Sequence, residues 1–375
     1  MGETNILPEL KEMGYGEDEA YPIFISITAG WSTRNISPVE TEYTFENKQA
    51  RVQLTSTSKL SKIMLDAKFW NRTKKSLSEE QNLMIYRVAR TVMFSNKRLN
   101  GYIKVYDWLQ IRPVPYALDD DGHYFSNGNA LFYPEPFIIE VAYKWSDLVF
   151  LESHRKLKAV NEAKWLLSAF VSFPAYQLRE PHTWLQQNDG SYRLVNGGMN
   201  TGFEGTSDIA FSDVGNLQKL PFEVTEQYID QSHQSQKFSV PNLEALYSKF
   251  KALDVENTKR FVRACAYLFT TTNPNVERSQ RIASYVNSVE CLIQGKDEDR
   301  GSQYKQFIDD FVKPSSSTLH HYKDIYNWRS DIVHGSWHLQ VDEPMFGWTD
   351  ESHIMSVVSL NAAKKGIINW LLAQP

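Results

Sequence analysis

Apolar residues recur along the chain at two different periods, and the change falls near Pro241. Ahead of it, "YPIFISITAGW" (Tyr21–Trp31), "YIKVYDWLQI" (Tyr102–Ile111) and "PFIIEVAYKW" (Pro136–Trp145) are rich in β-branched and aromatic residues and partly alternate. That pattern predicts strands. Turn chemistry separates such runs, with "DDDG" at Asp119–Gly122, "SNGN" at Ser126–Asn129 and "NDG" at Asn188–Gly190. Two helices are expected among them. One spans Ser78–Lys97, with an acidic first turn; the other spans His154–Phe173, where Leu157, Val160, Trp165 or Leu166 and Phe170 recur at helical spacing. Between Gly190 and Pro221 the chain is rich in Gly and Asn and lacks periodicity, which predicts a long loop or flap.

Beyond Pro241 turn dipeptides nearly vanish and the helical period takes over. Helices are expected near Asn242–Lys251, Asn257–Thr270, Asn275–Gln294, Ser302–Val312, Thr318–His334 and Ser352–Leu372. Gly295 and Gly335 stand where C-terminal caps belong, and "KPSSST" supplies a break followed by an N-cap. Short connections favour an antiparallel bundle. The expected fold class is therefore α+β: a β-rich N-terminal region with interspersed helices over 1–240, then an all-α helical bundle over 241–375.

A chain of 375 residues is long enough for two domains. Its net charge of -5 gives no global attraction to nucleic acid, so a polyanion site must be a local basic patch. Two cysteines, Cys265 and Cys291, exclude a disulfide framework and fit a reducing cytosol. The acidic, polar first residues resemble neither a secretory signal nor a transit peptide, and no apolar run approaches the ~20 residues of a membrane helix. A soluble, cytoplasmic protein without membrane association is expected.

The informative anomaly lies in "NWRSDIVHG", Asn327–Gly335. An α-helix turns ~100° per residue. With Tyr322 as origin, Ile325, Tyr326, Ile332 and Val333 fall within ~80° of it, a core-facing stripe. Arg329 falls within ~20° of Tyr322, in the centre of that stripe. A buried guanidinium must be paired and hydrogen-bonded. Its partner is either structural, with Glu290 beside Val289 and Leu292 as the candidate carboxylate, or a ligand anion. A pair with Glu290 is compatible with function, as a clamp behind the site.

His334 ends the same helix, ~140° round from Arg329. A histidine there either caps the negative end of the helix dipole or moves a proton. Arginine to hold a phosphate and histidine to move a proton form a minimal kit for metal-free RNA cleavage. Convergence of the two requires an unwound helix end, or a second copy of the helix across a two-fold axis. Asn327 lies within ~20° of His334 on the wheel, where it would orient the imidazole.

"RSDIVHG" (Arg329–Gly335), preceded by "YKDIYNW" (Tyr322–Trp328), resembles the R-x4-6-H signature of HEPN domains, in particular the ApeA-like branch. "RFVRACAYL" (Arg260–Leu268) and "YVNSVECLIQG" (Tyr285–Gly295) look like that branch's preceding helices, so the resemblance runs from Asn242 to the C-terminus. It implies a helical domain that forms a homodimer or higher homo-oligomer and cuts RNA, tRNA among the candidates, without metal or other cofactor. Many such proteins act in antiviral defence or as toxins. Arg329 and His334 would be the catalytic pair, supported by Ser330, Asn327 and Glu290. Ser330 stands where active members commonly carry Asn, Asp or His, and the ApeA-like branch uses Ser here. Other HEPN domains have lost catalysis and serve as dimerisation, RNA-binding or sensor modules, which is the alternative.

His334 and His338 have metal-like spacing, with His320 and His321 nearby, but Gly335 is expected to break the helix between the first two. No acidic or cysteine ligand joins them at a recognised spacing, so no metal site is expected. The "LDDDGHYFSNGNALF" run lacks the spacing of a calcium loop, and there is no Walker A string. "FWNRTKK" (Phe69–Lys75) could stack and neutralise RNA, but reads better as two core aromatics beside a solvated basic turn.

Overall fold

The structure, a computed structural model, describes residues 3–46, 48–57, 59–95, 99, 101–113, 135–170, 175–176, 182–186, 192–196, 210–219, 225–229, 235–239, 243–272, 276–294, 299–334 and 350–375. The fold is α+β, with antiparallel sheets in the N-terminal half and helices in the C-terminal half. The chain divides into two compact units. The first takes Met1–Ala89, Ala142–Ala159 and Ser207–Ala210; the second takes Arg90–Val141, Val160–Thr206 and Phe211–Pro375.

The first unit opens with β1 (Glu3–Asn5), α1 (Leu7–Glu12) and α2 (Ala20–Ile27). Four strands follow, β2 (Ser32–Ser37), β3 (Glu40–Phe45), β4 (Lys48–Leu54) and β5 (Leu60–Asp66), and then α3 (Ala67–Asn82). The sheet is antiparallel throughout, in the order β1-β5-β4-β3-β2. Register places Tyr43 opposite Ala50, Ala50 opposite Leu65 and Val52 opposite Ile63. These inward residues pack with Ile6, Leu10, Ile23, Phe24, Trp70 and Leu77 from the helices in one core. The alternate residues form the other face, where Arg51 lies between Glu3 at 3.7 Å and Glu42 at 3.6 Å. At the start of α3, Asp66 accepts a hydrogen bond from the Phe69 N–H at 2.9 Å, an N-cap.

Three expectations fail, wholly or in part, in this stretch of the chain. Tyr21–Trp31 forms not a strand but the helix α2 and the turn after it. Its buried residues, Ala20, Ile23 and Phe24, stand at helical spacing, and that packing overrides the strand propensity of the segment. Ser78–Lys97 is not one helix: α3 ends at Asn82, Leu83 is extended, and the chain continues as β6 (Tyr86–Ser95), with Lys97 outside the described residues. Trp70 and Phe69 belong to the core as expected, but the basic residues beside them lie on α3 rather than in a turn.

The second unit contains β7 (Ile103–Val105), β8 (Leu109–Pro113), most of β9 (Glu135–Lys144), and β10 (Ala175–Tyr176), in a sheet of order β10-β6-β9-β8-β7. Tyr102–Ile111 is thus a hairpin rather than one strand, turned at Tyr106 with φ 49°. Glu140 on β9 is fully buried. It accepts from Arg90 Nε at 2.8 Å, Arg112 Nε at 3.1 Å, Gln110 Nε2 at 2.9 Å and both the amide and hydroxyl of Ser212. The helix α4 (Val149–Phe170) starts five residues ahead of the expected His154, and 171–173 lie outside the described residues.

Two hairpins follow, β11 (His182–Gln186) with β12 (Tyr192–Asn196) and β13 (Thr225–Ile229) with β14 (Ser235–Ser239). The expected Gly190–Pro221 loop therefore contains a strand at its start; the turns expected at 119–122, 126–129 and 188–190 lie outside the described residues. The helices are α5 (Leu243–Ala252), α6 (Val255–Thr270), α7 (Arg278–Glu290), α8 (Arg300–Phe307) continued by a π-helical turn (Ile308–Val312), α9 (Leu319–Val333) and α10 (Asp350–Ala373). Asp254 caps α6 by accepting from the Asn257 N–H at 2.8 Å. Phe261 on α6 packs on Phe170, Phe250 and Trp370, while Ile282, Ile332 and Met355 join α7, α9 and α10. Gly295 and Gly335, the expected caps, lie outside the described residues, and α9 is capped at His334. No helix among the described residues is long and apolar enough to cross a membrane.

Candidate functional site

The site is built on α9, whose inward face is set by Tyr322, Ile325 and Ile332, all buried. Val333, expected in that stripe, is 54% exposed at the last helical residue. The buried arc is therefore narrower than the apolar pattern suggests, and Arg329 still lies inside it.

Arg329 points at α7. Its Nη2 donates to Asn287 Oδ1 at 3.2 Å and pairs with Glu290 Oε2 at 3.4 Å. Asn287 and Glu290 are three residues apart, so they share a face of α7. The Arg329 and Glu290 side chains are 25% and 20% exposed, and Arg329 Nε is buried with no hydrogen-bond partner among the described residues. The guanidinium is thus held through one nitrogen by two long contacts, well short of a bidentate pair.

More positive charge gathers at this end of α7. Arg263 on α6 and Arg300 on α8 act electrostatically on Cys291, the residue that caps α7, and Arg300 Nη1 donates to Ile293 O at 3.3 Å. A helix C-terminus carries partial negative charge, and Glu290 adds a full one, so cations are favoured there. Burial pushes the Cys291 thiol up to about 11, Glu290 adds to that, and Arg263 and Arg300 oppose it. Burial likewise raises Cys265. Both stay protonated thiols near neutral pH, which disfavours either as a nucleophile.

The remaining expected residues face elsewhere. His334 is exposed, with φ −86° and ψ 2°, and its N–H donates to Ser330 O at 2.9 Å. Asn327 is exposed and Ser330 half-buried; among the described residues no hydrogen bond joins Asn327 to the His334 imidazole. Because α9 stays helical through Val333, the ~140° between Arg329 and His334 stands, and no unwinding brings them together within the chain. Arg329 and Glu290 meet; His334 and Asn327 lie on the other side of the helix.

Sequence reasoning missed Asn287 and Tyr304. The signal for Asn287 was its place one turn before Glu290 on the same face. Tyr304 carries no charge and so raised no flag. Its ring lies 5.6 Å from that of Tyr326, one turn before Arg329, and its hydroxyl is fully buried. His320 and His321 are in ring contact at 3.8 Å, and His338 lies outside the described residues. Among the described residues no three His, Cys, Asp or Glu side chains gather as metal ligands. Comparison with family models, curated proteins and solved structures returns no match.

Proposed function

We propose that this chain is a metal-independent endoribonuclease of the HEPN type, acting on cytoplasmic RNA in antiviral defence or as a toxin, with tRNA one candidate substrate. The observation that carries the reading is the guanidinium of Arg329. It stands in an apolar stripe, is only one quarter exposed and uses one nitrogen on α7, while its buried Nε has no hydrogen-bond partner among the described residues. A guanidinium held this loosely supports an anion as its ligand, and a phosphate offers several oxygens to such a planar group.

The chemistry uses the ribose itself. A base takes the 2′-hydroxyl proton, the 2′-oxygen attacks the adjacent phosphorus, and the 5′-oxygen leaves with a proton. The products are a 2′,3′-cyclic phosphate and a 5′-hydroxyl. Arg329 stabilises the charge that grows on the non-bridging oxygens. His334, exposed at the helix end, serves as base or acid, the role in which imidazoles are most often found in proton transfer. The divergence of the two side chains calls for a homodimer or higher oligomer, in which Arg329 works with His334 of the partner subunit.

A second reading has its own support. The contacts to Asn287 and Glu290 make Arg329 a tie between α7 and α9, as expected of a HEPN module without catalysis that dimerises, binds RNA or senses a signal. Mapping 5′-hydroxyl RNA ends in cells separates the two. Expression of the wild type should create new ends that neither Arg329→Ala nor His334→Ala produces. Ends no more abundant than in the variants would favour the non-catalytic module.

A further inference from the structure

At the end of the β3–β4 hairpin, register places Phe45 opposite Lys48, on the same face of the sheet as Tyr43 and Ala50. Here the core gives out: Tyr43 and Ala50 are buried, whereas Phe45 is 44% exposed. Its ring stacks on Trp31 at 6.2 Å and 21°, and Trp31 lies 5.3 Å from Phe69, in the first turn of α3. The Lys48 ammonium sits 5.5 Å from the Phe45 ring and 5.2 Å from that of Phe69. Arg72 follows Phe69 by one turn of α3 and donates from Nε to Lys68 O at 3.4 Å; both Lys68 and Arg72 are exposed.

Arg51 and Lys74 of this unit have carboxylate partners, Glu3 with Glu42 and Glu9 respectively. Lys48, Lys68 and Arg72 pair with no carboxylate among the described residues, the exposed Glu46 at the hairpin tip included. A cation–π clasp over the edge of the core accounts for Lys48. It accounts neither for an exposed phenyl ring stacked outside the core nor for the unpaired cations next to Phe69 on α3. In a chain of net charge -5, only such a local group attracts a polyanion. Flat rings for bases, together with unpaired cations for phosphates, are what holds a single strand. We propose that Trp31, Phe45, Lys48, Lys68 and Arg72 form a binding site for single-stranded RNA on the first unit. A base stacks on Phe45, and the cations neutralise the phosphates beside it. That the strand is RNA rests on the ribonuclease reading; the site itself, in a different unit from Arg329, does not. Stacking accepts any base, so the site supplies affinity rather than sequence choice.

The test is binding of a 2′-O-methyl oligouridine, which lacks the attacking hydroxyl, by the full chain. Phe45→Leu keeps an apolar side chain but loses the ring; it should weaken binding about tenfold, and Phe45→Trp should retain it. Lys48→Ala and Arg72→Ala should each flatten the log–log salt dependence of binding by about 0.7, one phosphate contact apiece. Melting temperatures should stay close to wild type, since the groups removed lie at the edge of the core or outside it. Unchanged affinity and salt dependence in these variants would overturn the inference, as would a lower melting temperature with unchanged affinity. Polyglutamate competing as well as the RNA would also overturn it, marking a docking face for an acidic protein. RNA cleavage by wild type, with binding unaltered in the variants, removes this inference alone. RNA held through these residues but never cut upholds it and overturns the ribonuclease reading.

Discussion

One nitrogen of Arg329, Nη2, serves both Asn287 at 3.2 Å and Glu290 at 3.4 Å, while Nε has no partner among the described residues. Two acceptors on one turn of α7 thus hold a cation from α9 without enclosing it. That arrangement suits a group that must be kept in place yet remain open to an anion.

The stability of the pair follows from this geometry. Long, partly exposed ion pairs contribute on the order of 1 kcal/mol, whereas breaking a fully buried one costs about 3–5 kcal/mol. Arg329→Ala should therefore lower unfolding free energy by about 1 kcal/mol in denaturant titration. A loss near the upper range would instead mark Arg329 as a structural clamp.

Ser212 should matter more to the fold than its size suggests. Its hydroxyl bonds Glu140 and accepts from Arg90 Nη2 at 3.2 Å and Arg112 Nη2 at 3.1 Å. Ser212→Ala strips an acceptor from two buried guanidinium groups and is expected to cost about 1–3 kcal/mol. Thermal unfolding should show the loss, and RNA cleavage per folded molecule should be unchanged.

Acid should weaken the same network. Burial alone would raise the Glu140 pKa, but the Ser212 hydroxyl, then Arg112 and Arg90, outweigh it and hold the carboxyl below its ordinary value. A depressed folded-state pKa means that the stabilisation is complete above the unfolded value of about 4.3 and fades as pH falls through the folded one. Glu140→Gln should be less stable than wild type at neutral pH, with a shallower decline in acid. Parallel pH profiles for the two proteins would refute this role.

The helical half was legible because each helix buries one stripe, and a stripe has a period. Phe261, Ala264, Cys265 and Leu268 of α6 show it plainly. The sheet half was harder. Val88, Ala89, Arg90, Thr91, Val92 and Met93 are all buried, so β6 offers no alternation and its run imitates a buried helix. The hairpin at Tyr106 carries no glycine or asparagine at its positive φ, so nothing in the string announces the turn. In the site, the misplaced charges Arg329 and Glu290 stood out against apolar neighbours. Asn287 and Tyr304 break no pattern, and their importance lies in what their polar atoms do or do not reach.

Separation of Arg329 and His334 on one helix makes the shared site testable by complementation. Arg329→Ala and His334→Ala homodimers should each be inactive, while mixing with subunit exchange should restore up to about half of wild-type activity, from heterodimers with one intact pair across the interface. Verified exchange without recovery would exclude the shared site, as would full activity from a strict monomer.

Cleavage of RNA by the purified protein in EDTA is the most direct test of the ribonuclease reading. The expected result is metal-free cleavage that leaves 2′,3′-cyclic phosphate ends, stops when deoxyribose replaces the scissile ribose, and disappears in both Arg329→Ala and His334→Ala. Cleavage abolished by EDTA and restored by Mg²⁺, or left intact in those variants, would contradict it.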